Sequence, residues 1–103
     1  MLDLTAVRRR YYEVRPWGGL RLALKPVSLK LVRQLGHVVK LAGENDPAAL
    51  TELPGLVARL LSSNKAGYRV SPAQVEDHLD YDQIAALLLG YFGWLREAQS
   101  DPN

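Results

Sequence analysis

Residues 71–95 read SPAQVEDHLDYDQIAALLLGYFGWL, and this stretch determines how the C-terminal half is organised. Ser71-Pro72-Ala73-Gln74 has serine at a helix N-cap, proline at the first helical position and glutamine at N3, which together form a capping box. Asp80 and Gln83 repeat that spacing nine residues later. Apolar staples accompany both starts, Val70 with Val75 and Leu79 with Ile84. The stretch therefore predicts a short helix over 72–79, a corner, and a long helix over 81–98.

The same corner concentrates acids around His78, and such a cluster could bind a metal ion or act in catalysis. An EF-hand loop counted from Asp77 or Asp80 needs glycine at its sixth position, where this chain has Asp82 or Ala85. No nucleophile lies in local register with His78. The acids are better interpreted as helix caps and surface residues, so we predict no catalytic, metal-binding or cofactor-binding residue, and no enzymatic activity.

Residues 11–25 have the pattern of a β-hairpin. Apolar and charged side chains alternate on both sides of Gly18-Gly19, and two glycines supply the positive φ angles of a two-residue turn. Pro16 restricts the first strand to an edge, because proline cannot donate to a strand ladder. A lone hairpin is marginally stable, so its leucine face is expected to pack on helices.

Two further helices are expected between the hairpin and residue 71. One is capped by Ser28 and stops at Gly43, and the next starts at Asp46-Pro47 and is either kinked or divided at Pro54. The fold prediction is mainly α (α+β), with an N-terminal hairpin packed on a bundle of four or five helices. The expected core stripes are Leu31, Val32, Leu35, Val38, Val39 and Ala42; Leu50, Leu53, Val57, Leu60 and Leu61; and Ile84, Leu87, Leu88, Tyr91 and Leu95.

A chain of 103 residues suits one domain, which we place at 11–98 between a flexible arm (1–10) and a flexible end (99–103). The N-terminus lacks the apolar region of a secretory signal. The longest apolar run, 84–95, is about half of the ~20 residues that cross a bilayer. We therefore expect a protein that does not enter a membrane.

Charge is divided unevenly along the chain. Residues 1–40 hold nine basic residues and two acids, a net charge of +7, whereas residues 41–103 hold four basic residues and nine acids, a net charge of −5. Such a division favours attraction between the halves, head-to-tail self-association, or an acidic partner. The run Arg8-Arg9-Arg10 beside Tyr11 and Tyr12 leaves open a nucleic-acid-binding role, because arginines and aromatic rings can contact phosphates and bases.

Two segments carry a resemblance to a known family. LRLALKPVSLKLV (20–32) is a strand, a Lys-Pro corner and a hydroxyl-capped helix, and SNKAGYRVSPAQVEDHLDYDQIAALLLGYFG (63–93) leads through an acidic corner into a last apolar helix. Over residues 12–95 the chain resembles the tail assembly chaperones of long-tailed bacteriophages. The resemblance implies a protein that coats the tape measure protein before the tail tube polymerises, and that contacts tail tube subunits. It also implies a homo-oligomer that acts in the infected host's cytoplasm and is absent from the mature virion.

A binding protein of this kind needs an exposed apolar or charged surface. Phe92 and Trp94 are expected to point away from the stripe formed by Ile84 to Leu95, and the same rings could instead complete the core or a seam between copies. The candidate partner-binding residues are the aromatic Trp17, Tyr91, Phe92 and Trp94 and the basic Lys30, Arg33 and Lys40. A small nucleic-acid-binding protein and a virion structural subunit are the alternatives.

Overall fold

The computed structural model describes residues 2–4 and 10–100. Its elements in chain order are β1 (Tyr12–Val14), β2 (Leu22–Leu24), α1 (Leu29–Gly43), α2 (Pro47–Ser62), α3 (Pro72–His78) and α4 (Tyr81–Ser100). The predicted mainly α (α+β) architecture with an N-terminal hairpin is confirmed. The described residues form four helices and not five, because α2 runs unbroken through Pro54.

The ends of the predicted domain map only in part onto the described residues. Positions 1 and 5–9 of the expected arm, and 101–103 of the expected end, lie outside them. The last helix extends to Ser100, two residues beyond the predicted boundary at 98.

The hairpin pairs Tyr12 with Leu24 and Val14 with Leu22. Both strands are shorter than predicted, and β1 ends two residues before Pro16, which has no N–H to donate. The Leu20 N–H donates to the Trp17 carbonyl (3.1 Å) across the turn. Of the two turn glycines, only Gly18 has a positive φ (55°), so the predicted turn with two glycines at positive φ is wrong.

The outer edge of β2 is covered by the segment that follows α2. The Lys25 N–H donates to the Ser63 carbonyl (2.8 Å), and the Lys65 N–H donates to the Ala23 carbonyl (2.9 Å). Asn64, between those two partners, is buried at 2% exposure. Its amide nitrogen donates to the carbonyls of Leu61 (2.8 Å) and Tyr68 (2.7 Å), and its oxygen accepts from the Tyr68 N–H (2.9 Å). One polar side chain therefore fixes the loop against the hairpin.

The helix caps follow the sequence closely. Ser28 accepts from the Leu31 N–H (3.3 Å), and Asp46 accepts from the Ala48 N–H (2.9 Å). The end of α1 differs from the prediction, since Gly43 is its last helical residue and the left-handed position is taken by Asn45 (φ 58°). Asparagine tolerates that conformation better than most side chains, so the glycine is not required there.

The core is one cluster that joins the hairpin to all four helices. Leu22 and Leu24 are buried in it, as the hairpin prediction requires. Two residues expected in the core stripes, Val39 and Leu50, are exposed instead. Their stripes are wider than the surface that neighbouring helices cover, so the outermost members remain in contact with solvent.

Candidate partner-binding surface

The predicted aromatic surface at the end of α4 is divided among three environments. Tyr91 has no exposed area, so its assignment to an exposed partner-binding surface was wrong, and Phe92 and Trp94 are both half-buried against the core. Successive residues turn by about 100° around a helix. Phe92 therefore faces the α1 side of α4, whereas Trp94 faces the hairpin.

Tyr91 connects α4 to the end of the hairpin. Its hydroxyl donates to the Lys25 carbonyl (2.7 Å). Burial raises the pKa of Tyr91, and a backbone hydrogen bond at Val27 and the positive charge of Arg10 act in the opposite direction. Tyr12 packs edge-on against the Tyr91 ring, with centroids 6.1 Å apart. Tyr91 therefore holds α4 against the hairpin through one hydrogen bond and one ring contact.

Trp94 extends the same contact between α4 and the hairpin toward the surface. Its ring lies 5.7 Å from that of Tyr12, and the Arg10 guanidinium sits 4.4 Å above it and donates to the Trp94 carbonyl (3.4 Å). Arg8 and Arg9 lie outside the described residues. Within the run considered for nucleic-acid binding, Arg10 and Tyr12 are thus engaged in intramolecular contacts.

Trp17, at the hairpin turn, stacks on His78 at the corner between α3 and α4. The two rings are 4.7 Å apart and inclined by 20°. The His78 Nδ1 lies 2.9 Å from the Gln74 carbonyl, which orients the imidazole. The two side chains hold the hairpin turn against the acidic corner, and the Trp17 ring is half-buried as a result.

The acidic corner itself is built from helix caps. Ser71 and Gln74 form a complete capping box. Asp80 and Gln83 form the second, in which the Gln83 N–H donates to the Asp80 carboxylate (2.8 Å) and the Gln83 side chain accepts from the Asp80 N–H (2.9 Å). Among residues 2–4 and 10–100, no three His, Asp or Glu side chains converge where they could hold a metal ion.

An apolar groove lies between α1 and α4, with Leu53 of α2 also contributing to it. Its volume is about 120 Å³. Three of the eight exposed large hydrophobic residues of the described chain line it, and they are Val39 (38% exposed), Tyr81 (50%) and Leu89 (68%). The other lining residues are Ala42, Leu53, Ile84, Ala85, Leu88 and Phe92. We call these nine residues the α1–α4 groove.

The groove was only partly predictable from the sequence. Phe92 was a candidate, but Val39 was assigned to the core, and Tyr81 and Leu89 were not singled out. The available signal was the triple run Leu87-Leu88-Leu89, because an amphipathic helix cannot bury three consecutive leucines on one face. In the structure Leu88 is buried, Leu87 is half-buried and Leu89 is exposed.

The three basic candidates are all exposed on α1. All three lie on the solvent-exposed face of α1, within about 80° of one another around the helix. Lys40 follows Val39 directly, Arg33 lies seven residues before Lys40, and Lys30 lies nine residues before Val39, which turns it about 180° away. None of the three side chains forms a hydrogen bond or ion pair with another described residue.

No protein family, curated protein or solved structure matches this chain. Within the described part of the chain, the helices are too short or too polar to cross a bilayer.

Proposed function

We propose that this chain is a phage tail assembly chaperone that binds the tape measure protein and catalyses no reaction. The observation that supports this role best is the α1–α4 groove. An open apolar groove between two helices suits the apolar face of a third helix, which is a common mode of peptide recognition. A tape measure protein is a long helix that presents such faces repeatedly.

The sequence resemblance and the acidic corner support the same proposal. The strand-Pro-Ser-helix corner at 20–32 and the double cap at 71–83 are both formed in the structure. Asp80, like Asp46, serves as a helix cap. As part of the proposal, the chaperone self-associates along its partner, contacts tail tube subunits, and acts in the cytoplasm of the infected bacterium without remaining in the virion.

Co-expression with the tape measure gene of the same genome tests the proposal. The chaperone should co-purify with the tape measure protein and increase its soluble fraction. Leu89→Asp should abolish both effects, because it places a charge in the groove at a position that is already exposed. Leu29→Asp is the matched control, since Leu29 is equally exposed but does not line the groove. Absence of co-purification, or equal loss in both variants, would contradict the proposal.

The two alternative functions give different results. A nucleic-acid-binding protein would shift DNA or RNA in a salt-dependent manner that is lost when Arg8, Arg9 and Arg10 are changed to Ala. A virion structural subunit would be retained in purified particles. Either result, without tape measure binding, would replace the chaperone proposal.

A further inference from the structure

We infer that the outer edge of β1, formed by Glu13 and Arg15, pairs with the same edge of a second copy of this chain. The two strands run antiparallel and the pair is centred on Val14. The inference rests on the proposed function, because it names the surface of the self-association which that function includes. It is carried by the direction of the backbone groups of β1 and by the order of its two charges.

The hydrogen bonds on the far side of β2 show which way the backbone groups of the hairpin point. The Ala23 carbonyl accepts from the Lys65 N–H, on the side away from β1. In an antiparallel ladder, two residues directly opposite each other both point toward the neighbouring strand or both point away from it. Glu13 is opposite Ala23, so the Glu13 N–H and carbonyl point away from β2, toward the outer edge of β1.

Arg15 has its N–H on that same edge. Val14 lies between the two charged residues and pairs with Leu22, so its carbonyl points toward β2. The N–H on the other side of a trans peptide points the opposite way, which directs the Arg15 N–H outward. Among the residues that the structure describes, none binds the Glu13 N–H, the Glu13 carbonyl or the Arg15 N–H.

A groove beside this edge has room for a further strand. Its volume is about 380 Å³, and it lies between β1 and the α3–α4 corner. Beyond residues 12–16, its lining residues are Leu79, Gln83, Ala86 and Leu87. A strand added to β1 would turn alternate side chains into this groove, as β1 does with Val14. The outer edge of β2 offers no such place, because residues 63–65 cover it.

The charges on β1 select a second copy as the added strand. Glu13 and Arg15 are both exposed, and neither side chain forms an ion pair with another described residue. When two copies pair antiparallel about Val14, Glu13 of each copy lies opposite Arg15 of the other. Opposite charges across a strand pair stabilise it, and a two-fold axis gives two such pairs. The segment Glu13-Val14-Arg15 is therefore complementary to itself.

Charge leaves one favourable register for a symmetric pair. A pair centred on Glu13 or on Arg15 would place that residue opposite its own copy, and like charges repel. A pair centred on Tyr12 would bring two Tyr12 rings together, although each already packs within its own chain. A pair centred on Val14 avoids both conflicts. In this register the Arg15 N–H of each copy donates to the Glu13 carbonyl of the other.

Sedimentation equilibrium of the full-length protein between about 10 μM and about 1 mM tests the inference. The paired edge is short, so a weak equilibrium between monomer and dimer is expected. Glu13→Arg places arginine opposite arginine twice across the interface, and Arg15→Glu places glutamate opposite glutamate twice. Each variant alone should raise the dimer dissociation constant about tenfold or more.

An equimolar mixture of these two variants is the decisive measurement. Arginines of one variant then face glutamates of the other at both positions, so a mixed dimer should form as tightly as the unmodified dimer. Combining Glu13→Arg with Arg15→Glu in one chain exchanges the charges and should also restore the dimer. Neither recovery is expected if the single variants act through folding or through net charge.

Two exposed residues outside the hairpin provide controls with the same changes in charge. Arg33→Glu on α1 matches Arg15→Glu, and Glu52→Arg on α2 matches Glu13→Arg. Both controls should leave the dimer dissociation constant unchanged. Self-association that these controls weaken as much as the β1 variants do would overturn the inference.

The failures of the inference and of the proposed function are distinguishable. If the protein stays monomeric, or the mixture does not restore the dimer, while the tape measure protein co-purifies, the inference is overturned and the chaperone function stands. If the dimer behaves as expected but the tape measure protein does not co-purify, the function is overturned and the interface stands. If Glu13→Arg abolishes tape measure binding and leaves self-association unchanged, a strand of the partner protein occupies the edge and the inference is overturned.

Discussion

The hydroxyl of Tyr12 lies against Gly90, in the space that a side chain at position 90 would occupy. The Tyr12 side chain thereby approaches α4 at a position that a side chain on residue 90 would obstruct. The approach brings the Tyr12 ring into contact with both Tyr91 and Trp94. One glycine in the interior of α4 thus permits the packing of Tyr12 on Tyr91 and Trp94, which connects the hairpin to the last helix.

Gly90→Ala should destabilise the protein, although alanine favours helices. The added methyl group would displace Tyr12 and weaken its contacts with Tyr91 and Trp94. We expect a loss of about 1–2 kcal/mol in the free energy of unfolding. Gly93→Ala is the matched control on the same helix, because no side chain of the described residues lies within 4 Å of its added methyl group. It should stabilise by about 0.5–1 kcal/mol. Urea denaturation measures both changes.

Tyr12→Phe should rescue Gly90→Ala. Without the hydroxyl, the nearest atom to the new methyl group is the ring carbon Cζ of residue 12, at 3.4 Å, which is ordinary packing distance. The double variant should therefore be at least as stable as Tyr12→Phe alone. A Gly90→Ala penalty of the same size in both backgrounds would refute the steric explanation.

The buried hydroxyl of Tyr91 predicts a loss of stability at high pH. Because burial raises its pKa above 10.0, the native protein retains a proton that the unfolded chain releases. The stabilisation is complete below about pH 10 and is lost as pH rises through the native pKa. Tyr91→Phe should cost about 1–2 kcal/mol near pH 8, since it leaves the Lys25 carbonyl unpaired, and less near pH 11.

Denaturant unfolding at several pH values measures that difference between Tyr91→Phe and the unmodified protein. Tyr68→Phe is the control, because the Tyr68 side chain is exposed, and it should retain the high-pH loss. A difference for Tyr91→Phe that stays constant from pH 8 to pH 11 would contradict the prediction.

Local chemistry and long-range packing were not equally predictable from the sequence. Ser71 with Gln74 and Asp80 with Gln83 were predicted correctly, because a capping box depends on residues three positions apart. The burial of Tyr91 and the exposure of Val39 depend on where α2 and the hairpin pack. Hydrophobic periodicity places a residue on a face of its helix, but it does not show how much of that face a neighbour covers.

The loop before α3 gave no comparable signal. A sequence such as Ser62-Ser63-Asn64 resembles an exposed turn, and nothing local indicates that Asn64 is buried. Its three hydrogen bonds depend on the path that the chain takes around it and on the adjacent strand β2. The α1–α4 groove was missed for the same reason, since it exists only where the surfaces of two helices distant in sequence leave a gap.

Asn64→Ala should therefore be among the most destabilising single changes outside the apolar core. It leaves two carbonyls and one N–H without a partner, and we expect a loss of about 2–4 kcal/mol. Asn64→Asp keeps the shape but cannot donate when ionised, so it should lose a similar amount at neutral pH and recover part of it on acidification. Thermal unfolding at neutral and acidic pH tests this, and a near-neutral effect of both variants would contradict the assigned role of Asn64.

The stack of Trp17 on His78 should couple the hairpin turn to the α3–α4 corner. Trp17→Ala and His78→Ala should each destabilise the protein, and a double-mutant cycle should give a coupling of about 0.5–1.5 kcal/mol. His78→Phe is the control that preserves the stacked ring and should retain most of the coupling. Additive effects of the two alanine variants would show that the contact contributes nothing to stability.

Gly36→Ala should stabilise the free protein and weaken its binding of a partner helix. It lies in the interior of α1, three residues before Val39, and no side chain of residues 2–4 or 10–100 lies within 4 Å of a methyl group added there. Gly36→Ala should raise the free energy of unfolding by about 0.5–1 kcal/mol. If a partner helix lies across the α1–α4 groove, the added methyl group lies on its flank and should weaken binding severalfold. Urea denaturation measures the first effect, and the amount of tape measure protein that co-purifies with the variant measures the second. A stabilised variant with unchanged affinity would show that the partner does not approach α1 closely at this position.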